Sequence, residues 1–260
     1  MLCALMTLGV GCATTTTTSL SDKELNERTQ AIAVRDVGID HLASGRTAMS
    51  IRKLQQALAM NPEDPETMLW LGEAYRRKGM LDRAEESLLQ AIELSSKDRS
   101  GRTHQETILN LSALYIQMKR YDDAIAQSEI LIQDPTFGSP WRALTNRGWA
   151  QFQLGDYDDA QQSYDEALDF FPTYWPARLN LGILEQKRRN YVESIRQYEM
   201  ALETNRLGAD AIAEVNYRLA EVYVALGRRQ RAIEHFSVAV EQSPYGEWGA
   251  QSKSYLELLR

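Results

Sequence analysis

The sequence predicts an all-α protein, a right-handed α-solenoid of six antiparallel helix pairs closed by a C-terminal capping helix. Three observations support this prediction. Small residues recur with a period close to 34 residues, and apolar residues within each period follow the 3.6-residue spacing of a helix. Glycine or aspartate stands where two paired helices would turn, as expected for short connections between antiparallel helices.

Windows of 34 residues align over most of the chain and define the packing positions. They begin at Ala31, Pro65, Gln105, Trp141, Trp175 and Ala213. The eighth place holds Gly38, Gly72, Ser112, Gly148, Gly182 and Ala220, and the twentieth holds Ser50, Ala84, Ala124, Ala160, Ser194 and Ala232. Small side chains at these places let two helices approach closely. Ala160, Tyr164 and Ala167 share one helical face, which is therefore predicted to be buried.

Turn residues divide each window into two helices. The first helix of a pair ends near a glycine in four windows, at Gly45, Gly79, Gly155 and Gly227. Carboxylates that face a positive helix dipole open the second helices, at Asp82, Asp122, Asp123, Asp158 and Asp159. After the last window, apolar residues from Trp248 to Leu259 predict a capping helix.

One window carries a motif that is typical of a known family. Leu71-Gly72-x-x-Tyr75 is followed by Gly79, Ala84 and Ala91. This pattern resembles the tetratricopeptide repeat, so the chain is expected to contain six such repeats. The resemblance implies a superhelix whose first helices line a concave, protein-binding face.

The N-terminus predicts a sorting signal. Residues 1–11 form an uncharged apolar run that is too short to span a bilayer and ends directly before Cys12. This arrangement resembles a bacterial lipoprotein signal, which implies acyl chains on Cys12 and, with Ala13 next to it, transfer to the outer membrane. The expected organisation is a signal peptide at 1–11, the acylated cysteine and a Thr-rich tether at 12–22, six repeats at 23–245 and the capping helix at 246–260.

Composition and motifs argue against several other functions. The net charge of -7 disfavours a phosphate-binding surface, so we expect no nucleic-acid partner. His41, His104 and His235 lie in different repeats without metal-ligand spacing, and the repeats contain no cysteine. No catalytic or phosphate-binding motif is present. We therefore expect no enzyme activity, no metal, no small-molecule substrate and no cofactor apart from the acyl chains.

Candidate partner-binding residues come from the first helix of windows three to six. The sixth place is asparagine in three successive windows, and an amide side chain can both donate to and accept from the backbone of an extended peptide. The predicted groove residues are Asn110, Arg142, Thr145, Asn146, Trp149, Phe152, Leu179, Asn180, Ile183, Gln186 and Tyr217. Two alternatives stay open: the aromatic side chains can pack beneath a neighbouring helix, and the asparagines can satisfy local carbonyls.

The whole arrangement of signal, tether and six repeats resembles the type IV pilus pilotin lipoproteins of the PilF, PilW and Tgl type, most closely the myxobacterial member. This resemblance implies an outer-membrane lipoprotein that faces the periplasm, binds the secretin of the type IV pilus and promotes its insertion and multimerisation. Two other functions fit the same sequence. One is a lipoprotein adaptor that regulates cell-wall enzymes, and the other is a cytosolic scaffold without a lipid.

Overall fold

The structure, a computed structural model, describes residues 22–97, 101–204 and 207–259. The predicted signal peptide, Cys12 and the tether up to residue 21 lie outside the described residues. Within them, thirteen helices and no strands are found. The helices are α1 (Asp22–Ala43), α2 (Thr47–Met60), α3 (Pro65–Arg77), α4 (Leu81–Ser95), α5 (Arg102–Gln117), α6 (Tyr121–Ile132), α7 (Pro140–Leu154), α8 (Tyr157–Phe170), α9 (Trp175–Lys187), α10 (Tyr191–Leu202), α11 (Ala209–Ala225), α12 (Arg229–Gln242) and α13 (Glu247–Leu258).

The helices form six antiparallel pairs that stack side by side, which confirms the predicted all-α solenoid. Each odd-numbered helix contacts the even-numbered helix after it, and neighbouring first helices such as α3, α5 and α7 also contact one another. The first helices therefore line one face of the array and all end at the same edge. We call this edge the turn edge.

Close approach inside each pair follows from the small residues. A Cβ built on Gly148 would lie 2.6 Å from Cε1 of Tyr164, well inside van der Waals contact. The ring of Tyr164 thus fills the space that glycine leaves, and the side chains of Tyr198 and Phe236 are fully buried at the matching place of repeats five and six. A larger residue at the eighth place would force the two helices apart.

The turns adopt left-handed backbone as predicted, and in two repeats they do so without glycine. The φ angles of Gly45, Gly79, Gly155 and Gly227 lie between 69° and 95°, while Lys119 and Arg189 adopt 60° and 61°. The same closing hydrogen bond forms in either case, since the amide of Met80 donates to the carbonyl of Tyr75 at 2.9 Å and that of Arg120 to Tyr115 at 2.8 Å. The helix-ending geometry is therefore common to both residue types.

The capping helix α13 covers the end of the last repeat. The ring of Trp248 lies 5.2 Å from that of Tyr217, and Tyr255 stacks on Phe236 at 4.9 Å. Arg218 places its guanidinium 4.8 Å from the Trp248 ring. This aromatic cluster replaces the contacts that a further repeat would provide. Within the described ranges, no helix combines the length and the apolar character needed to cross a bilayer.

Candidate partner-binding groove

The concave face is hollowed across repeats two to four, where α3, α5 and α7 lie side by side. Two adjoining hollows of about 420 and 390 Å³ open there. Asn110, Arg142 and Asn146, all predicted from the sequence, line this groove together with Trp70 and Glu106. Three of the predicted groove residues are thus brought together in one cleft.

Both asparagines in this part of the groove are already held by internal bonds. The amide of Asn110 donates to the backbone carbonyl of Glu106 at 2.7 Å, which is the local contact that the sequence left open as an alternative. The amide of Asn146 donates to Oγ of Ser112 on the neighbouring first helix at 3.1 Å. Neither amide oxygen has a recorded partner within the described residues. The two side chains are therefore oriented in advance, and each keeps an acceptor for an incoming N–H group.

Ion pairs between and within the first helices balance the charge of the groove. Arg142 on α7 pairs with Glu106 on α5 through contacts of 2.7 and 3.0 Å. Arg76 and Arg77 share the buried carboxylate of Glu73, at 2.8 and 2.6 Å. Since each of these guanidinium groups already has a carboxylate partner, the groove is polar without a strong net charge of either sign.

Trp70 and Tyr174 are groove residues that sequence reasoning missed. Trp70 occupies the sixth place of its window, the same place as the predicted asparagines, so the repeat alignment could have identified it. Tyr174 lies in the turn before α9, and the groove residues were predicted from the first helices alone. Burial raises the pKa of its hydroxyl, and the nearby Arg142 partly offsets this effect.

Trp149 and Phe152 stack on each other farther along α7, with ring centroids 5.2 Å apart. Phe152 also contacts Tyr157 at the start of α8, at 5.5 Å. Both rings are half-buried, so part of each remains open to a partner. Phe152 thus packs partly beneath its neighbouring helix, as one of the two alternatives anticipated.

Three predicted groove residues are buried and do not reach the open surface. Thr145, Leu179 and Tyr217 are only 5 to 6% exposed. Thr145 donates its hydroxyl to the carbonyl of Trp141 at 2.7 Å. Tyr217 is enclosed because α13 places Trp248 and Tyr255 against it, which the window alignment did not anticipate. The expectation that these three side chains face a partner is therefore corrected: they support the groove from below.

The remaining predicted residues lie on α9. Asn180, Ile183 and Gln186 are half-buried. Gln186 accepts a hydrogen bond of 2.8 Å from the hydroxyl of Tyr198, and Ile183 packs against the core of repeats five and six. The candidate surface therefore continues from the polar cleft of repeats two to four to a more apolar stretch on α7 and α9. Among residues 22–97, 101–204 and 207–259, no group of three or more His, Cys, Asp or Glu side chains is placed to hold a metal ion.

Comparison with known proteins gives the same architecture. Family models described as Tetratricopeptide repeat match residues 36–99, 141–174 and 176–243, together more than half of the chain, and none of them describes a catalytic family. The regulatory protein AfsR of Streptomyces griseus is 30% identical over 150 residues, which cover 56% of this chain and 15% of AfsR. The chain spans only 15 to 20% of the length of the first curated relatives that it matches.

Two solved structures of pilus proteins share the fold over nearly their whole length. The crystal structure of PilW, described as a widely conserved type IV pilus biogenesis factor, is 20% identical with a TM-score of 0.66, covering 84% of this chain and 96% of PilW. PilF of Pseudomonas aeruginosa is 18% identical with a TM-score of 0.62, covering 90% of this chain and 100% of PilF. These likenesses show the fold. The repeat models, the helix pairs and the concave face together place the chain in the tetratricopeptide repeat family.

Proposed function

We propose that this protein is a pilotin: an outer-membrane lipoprotein, facing the periplasm, that binds the secretin of the type IV pilus and promotes its insertion and multimerisation. The groove across repeats two to four is the observation on which the proposal rests, since it offers preorganised amides and aromatic side chains with balanced charge. Such a surface suits an extended protein segment better than a small molecule or a polyanion.

The fold likeness to PilW and PilF supports the assignment to pilus assembly. The alignments cover 96% of PilW and 100% of PilF, so the likeness extends over nearly the whole of each pilus protein. The resemblance of the N-terminus to a lipoprotein signal, with Cys12 as the acylated residue, supports the location.

The proposed mechanism needs no covalent chemistry on the partner. Acyl chains on Cys12 hold the solenoid at the membrane. Captured secretin subunits are thereby held close to one another, at a high effective concentration. The groove holds one segment of that subunit through backbone contacts to Asn110 and Asn146. Multimers then form where insertion takes place.

The decisive experiment removes the anchor and leaves the repeats unchanged. In the Cys12→Ala variant we expect normal levels of folded protein, no acyl label, and loss of secretin multimers from the outer-membrane fraction. Wild-type amounts of multimers in that variant would contradict the pilotin assignment. A deletion strain with intact pili and altered cell shape would instead favour the adaptor of cell-wall enzymes.

A second experiment tests the groove itself. Asn146→Ala combined with Trp149→Ala is expected to weaken capture of the secretin in a pull-down by at least tenfold, with thermal unfolding still cooperative. Leu89→Ala with Gln90→Ala, on the exposed face of α4, is the matched control and should bind as the wild type does. Unchanged capture by the groove variant would indicate that the secretin binds another surface of the solenoid.

A further inference from the structure

The turn edge carries an exposed cationic and aliphatic surface in repeats five and six. It consists of Lys187, Arg189, Val192, Leu226, Arg228 and Arg231, which we call the turn patch. The two turns are neighbours, because both α9 and α10 contact α11. The turn patch lies at the end of the first helices and is separate from the groove.

Several cations of the turn patch have no carboxylate to neutralise them. Within the described residues, Lys187, Arg189 and Arg228 take part in no ion pair, whereas the nearby Arg188 is paired with Asp158 at 2.5 Å and with Glu185 at 3.2 Å. Arg231 reaches Glu234 at 3.3 Å, but both side chains are largely exposed, so that contact is weak. Lys187, Arg189 and Arg228 therefore carry positive charge that no ion pair within the described residues neutralises.

The helix dipole does not account for Arg228 and Arg231. Lys187 and Arg189 lie at the C-terminal end of α9, where a cation is favourable. Arg229 donates to the carbonyl of Leu259 at the end of α13. Arg228 and Arg231, in contrast, lie at the N-terminal, positive end of α12. Helices α4, α6 and α8 open with acidic residues in the first turn, and α12 has none. Cations at this place are slightly unfavourable for the helix, so the dipole gives no reason for them.

Exposed aliphatic side chains accompany the charge. The second residue of α4, α6 and α8 is aspartate, whereas in α10 it is Val192, with 81% of its surface exposed. Leu226 is exposed in the neighbouring turn, and Leu258, at 82%, ends α13 at the same edge. Aliphatic groups beside cations are the combination that favours the interface of a lipid bilayer.

We propose that the turn patch docks on an anionic phospholipid surface, with its cations at the headgroup phosphates and Val192 and Leu226 in the interfacial region. The contact is independent of the lipid anchor in the proposed function. The net charge of -7 does not oppose it, because screening limits each charge to a range of about 8 Å at physiological salt. Lipid fits better than nucleic acid, because the exposed aliphatic side chains of Val192 and Leu226 gain at a bilayer interface and add little to contacts with the phosphates of a duplex.

The test uses the full chain with Cys12→Ala, so that no acyl chain contributes, and co-sedimentation with vesicles. We expect binding to phosphatidylcholine vesicles that contain phosphatidylglycerol and little binding to phosphatidylcholine alone. Lys187→Glu with Arg228→Glu should lower the partition coefficient roughly tenfold or more, since each cation near such a surface adds a several-fold gain. Raising the salt concentration should weaken wild-type binding in the same direction.

A matched control reverses two exposed cations elsewhere. Lys97→Glu with Arg102→Glu changes the net charge equally at the opposite edge, and it should leave vesicle binding near the wild-type value. Equal loss in both variants, or none in the turn-patch variant, would overturn the proposal. Val192→Asn with Leu226→Asn distinguishes lipid from other polyanions: it should weaken vesicle binding several-fold, and unchanged vesicle binding alongside tight binding to duplex DNA would refute the lipid assignment.

Discussion

Lys119 adopts a left-handed backbone where the turns of the preceding and following repeats have glycine. A side chain at a φ of 60° costs about 1 to 2 kcal/mol, because its Cβ approaches the following carbonyl oxygen. Part of this cost is balanced by the smaller conformational freedom of lysine in the unfolded chain. The hydrogen bonds that end α5 keep the residue in this conformation.

Replacing Lys119 with glycine is therefore expected to stabilise the protein. We expect Lys119→Gly to raise the free energy of unfolding by about 0.5 to 1 kcal/mol, measured by urea denaturation. The reverse exchange, Gly79→Lys, serves as the control. It should lower stability by a similar or larger amount, because the Cβ position of Gly79 has no neighbour within 4 Å and only the backbone is changed. A destabilised Lys119→Gly variant would contradict this explanation.

Tyr164 is a second residue with one unfavourable feature, which is its hydroxyl rather than its ring. Its ring is fully buried against Gly148, yet its hydroxyl finds no hydrogen-bond partner among the described residues. Burial also raises the pKa of this hydroxyl, because the charged form loses its hydration. Tyr198 occupies the same place one repeat later, and its hydroxyl donates to Gln186.

The two tyrosines should respond oppositely to the same substitution. Tyr164→Phe removes an unsatisfied group and is expected to raise the free energy of unfolding by about 1 kcal/mol, whereas Tyr198→Phe breaks a hydrogen bond and should lower it by about as much. Chemical denaturation of both variants measures the difference. Equal effects of the two substitutions would show that the hydroxyl contacts do not decide the outcome.

At the scale of the element, α11 and α12 are joined by a half-buried histidine, His235. His235 bonds through Nδ1 to Oδ1 of Asn216 at 2.9 Å and stacks on Tyr223 at 5.3 Å. Burial lowers the pKa of His235 below 6.5, although Glu234 partly offsets this. In the unfolded chain the imidazole regains its ordinary pKa, so the unfolded state binds more protons at mildly acidic pH.

Stability is therefore expected to fall as the pH decreases through about 6.5, and the contribution of His235 is complete only above that value. In His235→Asn, which keeps a donor for Asn216 but cannot titrate, unfolding should depend less on pH between about 5.5 and 7.5. Thermal melts at both pH values measure the effect. A variant with the same pH dependence as the wild type would assign it to other groups.

The elements themselves were predictable, because each helix pair leaves a periodic pattern of small and apolar residues in the chain. The left-handed turns of repeats three and five were not, since Lys119 and Arg189 lack the glycine signal and the backbone hydrogen bonds alone impose their conformation. Asn110, Arg142 and Asn146 were found because they follow the repeat. Tyr174 was missed because it lies in a turn, outside the first helices. Tyr217 was misassigned because α13, which follows the last repeat, covers its ring.

For the whole molecule, the C-terminal cap decides how the array ends. Trp248→Ala should lower stability by about 2 to 3 kcal/mol, because Tyr217 and Arg218 lose the ring on which they pack. Hydrogen exchange should show the loss of amide protection first in α11 and α12, since each repeat is stabilised by its neighbours. Tyr245→Ala, which removes a fully exposed ring nearby, should leave stability unchanged. Uniform loss of protection along the chain would indicate one cooperative unit.

Helix α13 also determines where an array of this kind can lengthen. A duplicated helix pair placed after Gln242 would have to present an aromatic face that matches Trp248 and Tyr255. A pair inserted between two earlier repeats would contact helices that resemble the ones it contacted in its original place. Gene duplication within the chain can therefore extend the groove without rebuilding the terminus. Helix pairs can therefore be added before the last repeat, whereas the last repeat and α13 are constrained by their contacts with each other.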